Sequence, residues 1–419
     1  MSPDDSHLVA VQRRTLRVLF ATQIISGVGI GIGASVGALL AADLAGVGVS
    51  GLAPSAVVVG AALLALPATA IVRRRGRRPS LAAAYLVGTL GSMVIATAAI
   101  HGAIPLLFAG FFLFGGGTAA SFQARYAAVD LAPPRLRGRH LSAIVWATTI
   151  GAIAGPNLAA FAGATLDDYG VPTLAGPFVF SALLFSLAAV VLMLLMRPDP
   201  AILARRAAAP STATAPPLQQ AGMRAALRAV ASHPSARLGM AAVAVGHLVM
   251  VGVMAMTPVH IRSAGHDAAH TLRIVGVVIS LHVASMYAFS PAIGWLTDRV
   301  GRRPVILTGI ALLVTACALA ASAGHHQARL TIGLTVLGLG WSCTMVAGST
   351  LLSESVPVEL RASAQGLSDL TMGLAGASAG ALSGVVVYAW GFPMLGLIAA
   401  LATVPFIALA TRKHVTRGA

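Results

Sequence analysis

The sequence predicts an all-α membrane protein: twelve transmembrane helices grouped as two six-helix bundles related by a pseudo-twofold repeat. Three observations predict it. Of 419 residues, 57% are hydrophobic and 10% charged, against roughly 25% charged in a soluble chain. The apolar residues fall in runs of about 20, the length of a bilayer span. A block of loop sequence also recurs 225 residues further on. Collagen, coiled-coil and disordered classes are excluded, since there is no G-X-Y period, no sustained heptad and too much apolar content. The net charge of +16 does not point to nucleic acid, because the cations sit in short clusters between apolar runs, as in cytoplasmic membrane loops.

The elements follow in order. The first span, 17–42, follows Arg13, Arg14 and Arg17 and is too long for the apolar core of a cleavable signal. It carries the glycine rows Gly27/Gly31 and Gly29/Gly33/Gly37, a pattern that lets helices approach closely. The second, 50–72, ends on Arg73, Arg74, Arg75, Arg77 and Arg78. The third and fourth, 80–100 and 104–127, lead to Arg125, Asp130 and the arginines at 135, 137 and 139, with Arg125 and Asp130 expected in a loop charge network. The fifth, 141–163, holds Gly151, Gly155 and Pro156, and the sixth is 174–196. The stretch 197–237 is rich in Ala, Pro, Ser, Thr and Gln, bears six arginines, and reads as a cytoplasmic linker, helical near Met223–Ala231. It separates an N-terminal bundle, 1–196, from a C-terminal bundle, 238–419. The latter's spans are 238–261, 271–296, 304–323, 329–352, 362–388 and 391–411. Pro67, Pro156, Pro258 and Pro291 predict kinks. With the N-terminus inside, 25 of the 28 Lys and Arg residues fall in inner loops and tails, which predicts cytoplasmic termini in the plasma membrane. Cys317 and Cys343 lie inside apolar runs, so no disulfide framework is expected.

The repeat is explicit. Gly76-Arg77-Arg78-Pro79 returns as Gly301-Arg302-Arg303-Pro304, and Gly151 and Gly155 map by the same offset onto Gly376 and Gly380. Two such halves joined by a basic linker describe bundles rocking about a midplane site. The stretch from Gly294 to Arg303, G-W-L-T-D-R-V-G-R-R, resembles the loop signature of the major facilitator superfamily. In the first-half copy Arg73 replaces the Asp and Thr69 the leading Gly. The resemblance covers the whole chain. It implies an alternating-access secondary transporter, with Asp298, Arg299 and Arg302 in a cytoplasmic charge network that latches one conformation.

Two motif matches fail on context. Gly46-x-Gly48-x-x-Gly51 has no preceding strand, and Gly376-x-Ser378-x-Gly380 sits within a span. There is no HExxH and no P-loop, so no enzyme and no resident cofactor are expected. Ionisable residues in a span are candidates for function, and Asp369 lies about 12 Å deep in the eleventh at 1.5 Å per residue. Two roles suit it: a proton carrier, if burial raises its pKa, or a structural pair with an arginine near the fourth or fifth span. Gly151-x-x-x-Gly155-Pro156 resembles the fifth-span motif of proton-coupled exporters.

His247, Met250 and Met254 share one face of the seventh span, and His282 and Met286 one face of the eighth. Thioether and neutral imidazole suit Cu(I) without deprotonation. Outer-loop His260, His266, His270, His325 and His326, with Asp267, would collect a metal. The pattern M-x-x-x-M with H-x-x-x-M resembles the bacterial copper importers that supply cytochrome oxidase assembly. That resemblance implies Met250, Met254, His282 and Met286 as copper ligands, beside His247, with copper as cargo. Three other readings stay open: proton-coupled efflux of a drug-like or metabolite molecule, a transporter of something organic with the methionines as packing, and a membrane sensor without flux. The partners expected are a small-molecule or metal-ion substrate and the lipid bilayer, with no nucleic acid, and the chain is expected as a monomer.

Overall fold

The computed structural model describes residues 3–133, 136–167, 170–207, 223–357 and 360–406, and every regular element among them is helical. In chain order these are α1 (Pro3–Ala45), α2 (Val47–Ser50), α3 (Leu52–Arg75), α4 (Arg77–His101), α5 (Ile104–Ala127), α6 (Arg137–Asp167), α7 (Gly176–Leu195) and α8 (Pro200–Ala207). There follow α9 (Met223–Ser232), α10 (Pro234–Arg262), α11 (Ala268–Tyr287), α12 (Ser290–Val300), α13 (Arg302–Ala321), α14 (Gln327–Glu354) and α15 (Arg361–Leu401). Among the described residues eleven stretches are long and apolar enough to cross a membrane. The last of them, Ser363–Phe406, has 44 residues, twice the length a bilayer needs. Gly391 divides it, with φ 80 and ψ 171, a left-handed conformation that only glycine takes without strain. The eleventh and twelfth spans therefore meet at a single residue.

Helices α3, α6 and α10 continue through Pro67, Pro156 and Pro258. In a membrane, neighbouring groups take up the one backbone bond that each proline removes. Pro291 instead stands in the first turn of α12, just after a break between α11 and α12. There its missing N–H costs nothing, so the eighth span is two helices.

Two compact units are present. The first comprises Met1–Thr214 with Pro258–Ser280. Its core is a group of rings: Phe114 lies 5.2 Å from Phe185 and 6.0 Å from Phe178, and Phe178 lies 5.7 Å from Phe111. Both glycine rows of α1 face neighbours. A Cβ at Gly27 would meet the Gly151 Cα at 3.1 Å, and one at Gly31 would meet the Gly155 Cα at 3.3 Å. Gly29, Gly33 and Gly37 instead receive the rings of Phe185, Phe114 and Phe111. One row thus packs helix on helix, and the other makes room for aromatic side chains. Also in this unit, Gly276 of α11 lies on Pro156, Asn157 donates to Ser280 Oγ (2.5 Å), and Arg262 pairs with Asp43 (3.8 Å).

The second unit comprises Ala215–Thr257 and Leu281–Ala419. The helix expected near Met223–Ala231 is α9, which buries Ala226 and Val230 in a cluster with Ala236, Leu352, Val356 and Ala364. Residue α14 positions explain the rest of this unit, since α10, α11 and α13 all pack on that helix at glycines. Gly340 lies against Gly309 and Leu313 of α13, and Gly348 against Gly239 of α10.

Candidate functional site

Helix α14 acts as a ruler for the residues nominated from sequence. Against α10 it runs antiparallel: Gly239 meets Gly348, Gly246 meets Thr344, and the Trp341 indole Nε1 donates to His247 Nδ1 at 3.2 Å. Carried outward, that register sets Met250 at the level of Gly338 and Met254 at the level of Leu334. Against α11 and α12 it runs parallel. His282 Nδ1 donates to the Leu334 carbonyl at 2.7 Å. A Cβ at Gly338 would meet the His282 carbonyl oxygen at 2.6 Å and the Met286 nitrogen at 3.2 Å, and the Ser290 and Ser342 hydroxyls stand 3.4 Å apart. Three layers result: Met254 with His282, Met250 with Met286, and His247 with Trp341. The partners of the two histidines are seven residues apart on α14, so the imidazoles differ in depth by about 10 Å. The four residues expected from sequence as copper ligands lie at two adjoining levels of α14, whereas His247 stands a further turn along, at Trp341.

Met250, Met286 and His282 are buried, and Met254 and His247 are half-buried. His282 is 1% exposed, and its Nε2 has no partner. A buried acceptor left unpaired costs about 1–3 kcal/mol, so this nitrogen calls for a partner that no neighbouring side chain supplies. His247 lies in a notch. A Cβ at Gly376 would sit 2.8 Å from its ring, so Gly376 admits the imidazole between α10 and α15. In the first unit the repeat equivalent, Gly151, faces the Gly27 backbone instead. Trp341 also stands edge-on to Tyr287 (centroids 5.7 Å). The layer of His247, Trp341 and Tyr287 went unread in the sequence because Trp341 is remote in number and tryptophan has no characteristic spacing.

The other nominated residues separate. Asp369 lies on α15 and is exposed among the described residues. Arg302 makes two bonds to Glu354, at 3.0 and 2.6 Å, and lies 3.4 Å from Asp298. Arg299 stacks on Trp295, 5.1 Å from the ring centre. The first half carries the counterpart: Arg77 makes two bonds to Asp130, at 2.9 and 3.1 Å. Glu354 was missed in the sequence, although it follows Asp130 by 224 positions, the offset of the adjoining loops. Gly76 and Gly301, which open these loops, both adopt left-handed φ, 96 and 101. Arg125 is outside the Arg77 pair and stacks on Phe122.

In the turn from α10 into α11 the rings of His266 and His270 are 4.6 Å apart. The Asp267 carboxylate accepts the His270 backbone N–H at 2.7 Å, which holds its pKa below the usual carboxylate range. Among the described residues no three His, Cys, Asp or Glu gather as a metal cluster. A metal reading therefore depends on the thioethers.

The sequence profile described as Major Facilitator Superfamily matches residues 18–272 and 268–418. The chain is 38% identical over 391 residues to YdeG of Bacillus subtilis, described as an uncharacterized MFS-type transporter, covering 93% of this chain and 89% of that one. It is 28% identical over 404 residues to the riboflavin transporter RfnT of Brucella anthropi, covering 94% and 95%. Among solved structures, the nucleoside transporter NupG superposes with a TM-score of 0.75 at 16% identity, over 95% of this chain and all of that one. At that identity the likeness concerns the fold alone. The chain is a multi-pass membrane protein and a secondary transporter, and it belongs to the major facilitator superfamily.

Proposed function

We propose that the chain carries a small, flat, weakly charged organic molecule across the membrane by alternating access, through a site on α10, α11 and α14. The observation that carries this is the layer of His247, Trp341 and Tyr287, which joins an imidazole, an indole and a phenol. Such a layer supplies broad apolar faces with a few fixed polar atoms, the usual make-up of an organic-ligand site. The riboflavin transporter aligned along 94% of the chain has a cargo of this class. The test is uptake of labelled riboflavin by a riboflavin-requiring bacterium expressing the chain. We expect accumulation above empty cells, reduced at least ten-fold by Trp341→Ala at equal expression. Accumulation equal to that of empty cells counts against the reading. Outward movement of a drug-like molecule or metabolite belongs to the same site class, and is scored by the same variant in a resistance assay.

Copper uptake is the second reading, favoured by the unpaired His282 Nε2 with Met254, Met250 and Met286 at the same two levels. An imidazole anchored through Nδ1 is oriented as metal-ligating histidines are. It predicts that total cell copper at low external copper rises with the wild type and not with His282→Ala. Asp369 is the proposed proton-coupling group, and Asp298, Arg299 and Arg302 the proposed latch. The proposed arrangement has both termini cytoplasmic and a single chain as the working unit.

A further inference from the structure

We infer that His282 is the hydrogen-bond acceptor that reads the cargo, and that the cargo is a heteroaromatic molecule carrying an imide- or lactam-type N–H. This rests on the proposed transport of a flat organic molecule and names its class. The polarity of the ring follows from its partner. A carbonyl oxygen only accepts, so in the 2.7 Å contact with Leu334 the Nδ1 of His282 is the donor. The neutral ring then keeps its lone pair on Nε2, the atom that is buried without a partner. Turning the ring over would break the Leu334 bond, and the close approach of α11 to Gly338 leaves the backbone no slack. The position is therefore a fixed, buried acceptor, which discriminates in favour of a donor and against an anion.

The second imidazole has the opposite polarity. An indole N–H only donates, so His247 Nδ1 accepts from Trp341 and the neutral ring carries its proton on Nε2. Two imidazoles of opposed polarity thus stand about 10 Å apart in depth along α14, each locked by a different residue of that helix. A fused heteroaromatic presents an N–H along one edge and ring nitrogens or carbonyls along another, and so offers both a donor and an acceptor. A simple hydrocarbon-like drug offers neither, and a site of this kind would leave both imidazoles unpaired around it.

The experiment uses the full chain in proteoliposomes, with riboflavin and 3-methylriboflavin as probes. Methylation at N3 removes the imide donor and leaves the flat ring. We expect the wild type to take up riboflavin at least ten-fold faster than the methylated probe, and His282→Leu to erase that preference. If the variant does not fold, the wild-type ratio decides alone. Equal rates for the two probes in the wild type overturn the inference and leave the proposed function standing. Uptake of neither overturns both. Copper accumulation that depends on His282 overturns the inference in favour of Cu(I) at the same nitrogen.

Discussion

A glycine in this protein is informative through what its missing Cβ would touch. At Gly151 an added methyl group would meet the Ile24 carbonyl at 2.6 Å and the Gly27 Cα at 2.7 Å; at Gly155 it would meet the Val28 carbonyl at 2.5 Å. These neighbours are backbone atoms, which no rotamer change can move aside. We expect Gly151→Ala and Gly155→Ala each to destabilise the detergent-purified protein by about 1–3 kcal/mol, read as a lower melting temperature. Gly366 and Gly373 of α15 have open space around them. Alanine there should not lower the melting temperature, and should raise stability by up to about 1 kcal/mol, because glycine is the poorer helix former. Equal behaviour of the two pairs would show that α1 and α6 are not held by this close contact. At the cargo site, Trp341→Phe keeps an aromatic ring but removes the donor to His247. His247 then loses the donor that fixes its tautomer, and we expect the KM for uptake to rise several-fold.

Among the elements, α8 is too short to persist alone, and the Asp199 side chain caps it. Asp199 accepts the backbone N–H groups of Ala201 and Ile202, at 3.0 and 3.2 Å, and also that of Arg78, at 2.7 Å. It caps the first turn of α8 and ties that turn to the loop entering α4, where Gly76 leaves no room for a side chain beside the Asp199 carboxylate. Removal of such a cap costs about 0.5–2 kcal/mol. We expect Asp199→Ala to speed trypsin cleavage after Arg205 and Arg206 of α8 several-fold at unchanged expression, and equal cleavage rates would show that another contact holds it. This clamp was not legible in the sequence. Asp199 lies 121 positions from Arg78, and nothing in its own neighbourhood marks its partner. The helix over Met223–Ser232 was legible, because its apolar residues recur at helical spacing with arginines opposite.

At the scale of the molecule, the repeat extends from glycine positions to ion pairs. Arg77 with Asp130 and Arg302 with Glu354 are the same contact in the two halves, each bidentate. The first pair is the more enclosed, with both side chains 16% exposed, so its loss should cost more. We expect Asp130→Asn to lower the transport rate more than Glu354→Gln at equal expression, with each loss deepening at low salt and fading at high salt only for the exposed Glu354 pair. The reverse ranking would show that enclosure does not set their weight. The sequence by itself determined the class of fold, the span positions, the repeat and the family resemblance. Hydropathy and loop charge are local sums, and a signature loop is a contiguous string. Only the tertiary structure decided that His282 and His247 answer to α14 at different depths, that Asp369 is exposed, and that one nitrogen of His282 is left unpaired. Those outcomes depend on helix register, which is set by close contacts such as Gly338 on α11 and Gly348 on Gly239, between residues some 50 to 110 positions apart.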